Sequence, residues 1–360
     1  MADDALASEP DGNADFGSRM LGAINGASIA LLLSIGHQTQ LFDVMATMPP
    51  ASSDDIAVAA ELNERYVREW LGGLVAADVI AYDAQARQYH LPPAHAPALT
   101  RAGGPANYAK MAQYVAILGS VEQKIIECFR HGGGLGYEHF PRYHEVRAEQ
   151  GGAVVDSELL GEILPLVEDL PDRLSAGIDL ADFGCGSGHA VNVMAKAYPL
   201  SRFTGYDFAD DALRSGQDEA QAMGLDNADF VSADLAAIEV TDRFDAILVM
   251  DAIHDQADPA RVLSNIQRAL RPGGVLLMID IKASSNLEDN CDIPWATWLY
   301  TVSTMHCMTV SLADGGVGLG TVWGEQMALS MLHDAGFDEV RVAEVPRDPF
   351  NNYFIASKSG

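Results

Sequence analysis

From about residue 175 the hydrophobic pattern alternates between short buried runs and amphipathic stretches, which limits the fold of this 360-residue chain more than any other feature. AGIDLADFG reads as a buried strand and HAVNVMAKAYP as the helix that follows it. SRFTGYDF, ADFVSAD, FDAILVMDA and GGVLLMIDI continue as strands, with DDALRSGQDEAQAMGL and DPARVLSNIQRALRP as helices among them. Nearly continuous apolar strands separated by helices predict a parallel, doubly wound α/β sheet covered on both faces. The C-terminus breaks the rhythm, with helix GEQMALSMLHDAGF, strand DEVRVAEVP, turn RDPFN and strand NYFIASK. Two strands joined by so short a connection must run antiparallel.

The N-terminal part has a different texture. Residues 1–18 read as an acidic, disordered tail. Residues 19–100 read as helices followed by two short strands in VIAYDAQARQYHLPP, the element order of a winged helix. Ser52 or Ser53 caps one helix, ahead of Asp54 and Asp55. Asn63 caps the next, with Tyr66, Trp70, Leu71 and Leu74 on one face. Residues 101–170 read as a helical linker and cover, holding the Gly- and aromatic-rich stretch HGGGLGYEHFPRYHEV. Residues 171–360 form the α/β domain.

Charge narrows the partners. With 22 Lys+Arg against 51 Asp+Glu the net charge is −29, which disfavours sequence-independent binding to nucleic acid or anionic lipid. Residues 21–100 carry 8 acidic residues and 3 Arg, a net of −5, where a DNA-reading helix needs a basic surround. Cys128, Cys185, Cys291 and Cys307 stand far apart, without the spacing of a zinc site or a disulfide framework, and no metal is expected. The N-terminus lacks a signal-peptide pattern. The apolar run Ile24–Gly36, at 13 residues, is too short to cross a bilayer. These features together predict a cytoplasmic protein.

The first α/β strand ends in Asp182-Phe183-Gly184-Cys185-Gly186-Ser187-Gly188-His189, a D-x-G-x-G-x-G turn. Glycines at a strand's carboxyl end let the backbone pass close under a ligand. The dinucleotide fingerprint G-x-G-x-x-G fails in both registers, since its third glycine falls on His189 or Val191. The second strand ends at Asp207, where a carboxylate accepts from two ribose hydroxyls. The third ends at Asp234, beside Phe208 and Leu235, where an acid and an apolar slot suit an adenine. Three acids at three strand ends favour a cationic ligand with adenine and ribose but no phosphate, and S-adenosylmethionine has those properties.

These motifs, followed by RPGG before the fifth strand and the antiparallel last strand, resemble the class I S-adenosylmethionine-dependent methyltransferases over residues 175–358. With the winged helix in front, the chain resembles the two-domain small-molecule methyltransferases, and FRHGGG, MDAIHDQADP and STMHC with WGEQ look like signatures of a bacterial branch of them. The resemblance implies a Rossmann-like sheet of seven strands and S-adenosylmethionine at its carboxyl edge. By matched position it assigns Gly184, Gly186 and Gly188, with Met250 and Asp251 beside them, to the methionine end, Asp207 to the ribose, and Asp234 and Leu235 to the adenine; Asp182 and Phe208 are expected among the cofactor-binding residues. It also implies homodimerisation through the N-terminal domain, an expectation strengthened by the Ile24–Gly36 helix, which is apolar nearly all round and needs a partner to bury it.

His254, four residues past the fourth strand, lies where related O-methyltransferases carry a histidine that deprotonates the acceptor. Here the context is His-Asp-Gln instead of His-Asp-Trp. A neutral imidazole near pH 7 suits that task. Tyr137 and Tyr143, and Trp295, Trp298, His306 and Trp323 in the segment 291–323, are candidates for the pocket of a small-molecule acceptor. The alternative function is a winged-helix regulator that senses S-adenosylmethionine without catalysis, which the acidic N-terminal domain opposes.

Overall fold

The computed structural model describes residues 12–360 and divides the chain into two units, 1–117 and 118–360. The stretch 101–170 is therefore shared between them.

In the first unit, helices Gly12–Gln38, Leu41–Thr47, Ser53–Ala59 and Glu64–Ala76 precede strands β1 (Ala81–Asp83) and β2 (Gln88–His90), which pair antiparallel with Ala81 opposite His90. Ser52 makes a capping box with Asp55, and Asn63 Oδ1 accepts from Arg65 N at 3.1 Å. The apolar face of Glu64–Ala76 is Val67, Trp70, Leu71 and Leu74. Tyr66 is 80% exposed, so Val67 takes the place expected for it, one residue on. The Trp70 ring packs 5.2 Å from Phe42, and its Nε1 donates to Leu32 O.

The first helix departs from two expectations. It begins at Gly12, so the acidic stretch is helical from there on, while residues 1–11 lie outside the described residues. Its 24-residue segment Asp15–Gln38 is long and apolar enough, by length and composition alone, to cross a membrane. Counting only the uninterrupted apolar run missed this, because the helix continues through Gly, Ala and one Arg. Ser34 and His37 are buried, but Met20, Leu21, Ile24, Leu31 and Ile35 are exposed on the single chain.

The second unit is built on a seven-stranded sheet. Strands β3 (Asp179–Phe183), β4 (Arg202–Asp207), β5 (Ala228–Ser232), β6 (Phe244–Met250), β7 (Leu270–Ile281), β8 (Val340–Ala343) and β9 (Asn351–Ser357) lie in the order β5-β4-β3-β6-β7-β9-β8. All pairs from β5 to β7 are parallel, and β9 runs antiparallel to both of its neighbours. Side chains alternate between two apolar layers. Ala181, Phe183, Ile247, Val249 and Met278 enter one, and Leu180, Leu248, Leu277 and Tyr353 the other. The strand order turns at β3 and β6, and in open sheets ligands bind in the crevice at such a switch point.

Candidate active site

The glycine turn leaves β3 with Gly184 and Cys185 N–H donating to Tyr206 O at 2.8 and 3.1 Å. Gly188 opens the helix His189–Ala197 at φ +71°, and a Cβ there would lie 2.1 Å from the Phe230 ring. Gly186, at φ +54°, faces open space. A cleft of about 510 Å³ runs past Ser187 and His189 and is bounded by Ala148, Gly152 and Glu219.

Acidic groups surround the turn. Asp207 Oδ2 accepts from Gly186 N at 2.8 Å and its Oδ1 from Ala209 N at 2.9 Å, which fixes the carboxylate at the end of β4. Asp182 is fully buried and neither of its carboxyl oxygens has a hydrogen-bond partner. Burial, reinforced by the nearby charge of Asp207, pushes its pKa up to about 7. Asp251 follows β6 at φ +50°, pairs with Arg147 and keeps Oδ1 unpartnered. Burial raises its pKa against the pull of Arg147. Met250 is half-buried at the strand end. Asp234 is exposed and caps the turn Leu235–Ala237 through Ala236 N. Leu235, expected in an adenine slot, is instead buried in the sheet core with Ile238 and Phe244, and the ring left exposed beside Asp207 is Phe208.

Buried carboxyl oxygens without donors, beside an open glycine turn, suit a ligand that brings cationic groups and no phosphate. S-adenosylmethionine carries an ammonium and a sulfonium, so the residues present fit it. Asp207 would hold the ribose, and Asp182, Asp251 and Arg147 the charged amino-acid end.

Beyond the end of β6 lies a cluster of polar groups in an aromatic shell. His254 is buried, with Nδ1 2.8 Å from Asp280 Oδ1 and Nε2 3.3 Å from Asp255 Oδ1. Asp280 Oδ1 also accepts from Trp323 Nε1 at 2.9 Å and from Ile281 N at 2.8 Å. Burial alone would lower the imidazole's pKa, but Asp280 and Asp255 carry it well above 6.5. The sequence predicts a neutral imidazole near pH 7, whereas the carboxylates facing its two nitrogens favour the protonated ring in the structure.

Tyr137 OH donates to Asp255 Oδ2 at 3.0 Å, and its ring lies 5.6 Å from Phe208 and 5.3 Å from His306. His306 stacks on Tyr143 at 3.5 Å and meets Phe140 edge-on at 4.6 Å. It is fully buried with both ring nitrogens unpartnered, and burial pushes its pKa down to about 4. Tyr137, Tyr143 and His306 therefore come together next to Asp255. Trp323 belongs to the core and reaches the cluster only through Asp280. Trp295 packs on Phe350 at 4.7 Å, and Trp298 is half-buried on the helix Ala296–Val302. Sequence reading missed Arg147, Asp255, Asp280, Phe140 and Cys307. Asp280 had a signal, a carboxylate inside the apolar strand LLMIDI; Arg147, on an ordinary helix, had none.

The fold is a winged-helix-like first unit and a seven-stranded α/β sheet whose last strand runs antiparallel. Family models match residues 27–101 as an Rv2258c-like winged HTH domain and residues 174–336 as a methyltransferase domain. The chain thus carries a winged HTH domain followed by a methyltransferase domain. A demethylmenaquinone methyltransferase of Thermus thermophilus is 30% identical over 133 residues, 34% of this chain and 60% of that protein. The chain spans about half the length of the curated relatives it matches. Among solved structures, a putative O-methyltransferase of Nostoc punctiforme superposes with a TM-score of 0.74 at 16% identity, covering 98% of this chain and 100% of that one. Human N-acetylserotonin methyltransferase, in complex with S-adenosylmethionine, gives 0.69 at 18% identity over 98% and 99%. At these identities the structural likeness establishes the fold.

Proposed function

We propose that the protein is an enzyme that binds S-adenosylmethionine and methylates a small-molecule acceptor, with a hydroxyl as the acceptor group. The observation that carries this reading is the set of buried, donor-less carboxyl oxygens on Asp182 and Asp251, beside an open glycine turn and the fixed carboxylate of Asp207. When bound, S-adenosylmethionine supplies a methyl group on a sulfonium that departs as a neutral thioether, so positioning does much of the work. Asp207 orients the ribose, and Arg147 with Asp251 and Asp182 holds the amino-acid end. The shell of Tyr137, Phe140, Tyr143 and His306 excludes water from the acceptor end and suits an apolar molecule.

His254 is the proton acceptor in this reading. Asp280, on Nδ1, fixes the ring's orientation and tautomer and leaves Nε2 to take the acceptor hydroxyl's proton. Because Asp280 and Asp255 raise its pKa, His254 becomes competent only as pH rises past the usual histidine range. The chain acts as a homodimer through the first unit. That proposal is supported by the exposed apolar side chains Leu21, Ile24, Leu31 and Ile35 of the first helix, which a second copy would cover.

Calorimetric titration of the wild type and Asp207→Ala with S-adenosylmethionine tests the core of the reading. Losing the charge-assisted bonds to the ribose should weaken affinity by about 2–4 kcal/mol in a folded variant. Equal affinities would overturn the assignment, and tight binding of a nicotinamide dinucleotide by the wild type would overturn the cofactor class.

A further inference from the structure

Three metal-ligating atoms converge at the acceptor end from segments far apart in sequence. One ligand atom from each of His254 (a ring nitrogen), Asp255 (a carboxylate oxygen) and Cys307 (Sγ) lies within 4.8 Å of the others, and His254 Nε2 is 3.3 Å from Asp255 Oδ1. His254 and Asp255 come from the loop after β6, whereas Cys307 ends a π-helical turn, Ser303–Cys307, a widened turn that recurs at functional sites. All three side chains are enclosed, and Cys307 is a free thiol.

The surroundings of the cluster are those of metal ligands. A ligating histidine characteristically donates its remote ring N–H to a carboxylate, which fixes the ring and makes the other nitrogen a better donor. His254 does this through Nδ1 to Asp280, itself held by Trp323 Nε1 and Ile281 N. Asp255 is likewise held from behind, since Tyr137 OH donates to its Oδ2, while its Oδ1, on the cluster side, is buried and faces His254 Nε2 at 3.3 Å. The 3.3 Å between His254 Nε2 and Asp255 Oδ1 is close to the edge of a tetrahedron about an ion with bonds of about 2.0–2.3 Å.

We propose that His254 Nε2, Asp255 Oδ1 and Cys307 Sγ form a site for one borderline-soft divalent cation, Zn²⁺ being the best match, and that its occupancy blocks methyl transfer. Nitrogen, carboxylate and thiolate together select such an ion over Mg²⁺ or Ca²⁺, which take oxygen donors. Three protein ligands leave a fourth position open. On binding, a metal–sulfur bond replaces the Cys307 S–H bond and the proton leaves to solvent. A metal–nitrogen bond replaces the Nε2–H bond of the protonated ring, and that proton also leaves to solvent. The block on turnover rests on the reading of His254 as the proton acceptor; the binding site itself does not.

The test uses the full-length chain, freed of metal with a chelator and then equilibrated with Zn²⁺ in competition with a chromophoric chelator. One Zn²⁺ per chain is expected. Affinity should fall at least 100-fold in Cys307→Ala, with Cys307→Ser as a second variant should the alanine protein fail to fold. Co²⁺ in place of Zn²⁺ should give a thiolate-to-cobalt charge-transfer band in the wild type and none in either variant. Equal Zn²⁺ affinity in wild type and variants, or no retained Zn²⁺, overturns the site. Stoichiometric Zn²⁺ should cut wild-type turnover at least tenfold and leave Cys307→Ala within twofold of its metal-free rate. Full activity with the ion bound overturns the inhibitory role. Titration with S-adenosylmethionine in the metal-free protein is a separate measurement, so its failure would count against the methyltransferase reading and leave the metal result standing.

Discussion

Asp182→Asn removes an ionisable proton from a carboxyl that has neither solvent nor a hydrogen-bond partner. In the unfolded chain the group titrates near 3.8, and in the folded protein at about 7. Below pH 3.8 both states are protonated and ionisation adds nothing. Between these values the unfolded state alone is ionised, so folding stability falls as pH rises. Above about 7 both are charged and the loss stays constant. A shift of this size, at about 1.4 kcal/mol per pKa unit, amounts to about 4 kcal/mol. Asparagine resembles the protonated acid in shape and polarity, so it escapes this loss without changing the packing. Urea unfolding of the cofactor-free protein, followed by tryptophan fluorescence, should show the variant more stable than wild type at pH 8. The difference should shrink by about 2 kcal/mol at pH 5.5. The same variant should bind S-adenosylmethionine at least tenfold more weakly at pH 8, because the buried charge that destabilises the empty site is what a cation would meet. A variant stabilised equally at both pH values, or less stable than wild type at pH 8, would refute the reasoning.

Asp280→Asn should lower the pKa of His254 by removing its strongest attractive partner, so the acid limb of the pH–rate profile should move to lower pH; an unmoved limb would exclude His254 as the titrating base. His254→Ala should reduce turnover roughly 10²- to 10⁴-fold while cofactor affinity, read by calorimetry, stays within a few-fold. Ile24→Glu combined with Leu31→Glu should convert a dimer to monomer in light scattering, and a wild type already monomeric at micromolar concentration would exclude the dimer.

The sheet was legible because its strands are buried on both faces and so stand out as apolar runs between amphipathic helices. The glycine turn and Asp207 were placed by the same logic, since strand ends can be counted. What sequence could not supply was whatever depends on which distant segments meet. Tyr66 and Val67 are neighbours on a helix, and it is Val67, in the i, i+3, i+4, i+7 stripe with Trp70, Leu71 and Leu74, that faces inward. Leu235 adjoins Asp234, yet the turn that Asp234 caps sends it into the core. His254 was found by its distance from a strand end, but its charge state is set by Asp280 on β7. The first helix begins earlier than its apolar run because Gly12–Leu21 carries no breaker strong enough to stop it.

The place of β9 bears on how the chain is made. Synthesis is vectorial, and β3 through β7 with the glycine turn and Asp207 emerge well before β9. Yet β9, the last of the seven strands in chain order, lies inside the sheet between β7 and β8. Until it exists, β7 has an unpaired edge, and β8, which pairs with β9 alone among the described residues, has nothing to join. A chain cut short before Asn351 would retain nearly the whole carboxyl edge of the parallel strands, yet it would expose two strand edges of the kind that seed aggregation. The sheet is thus complete only once its last strand in chain order has been made, so the strand that closes its interior is also the final one to arrive.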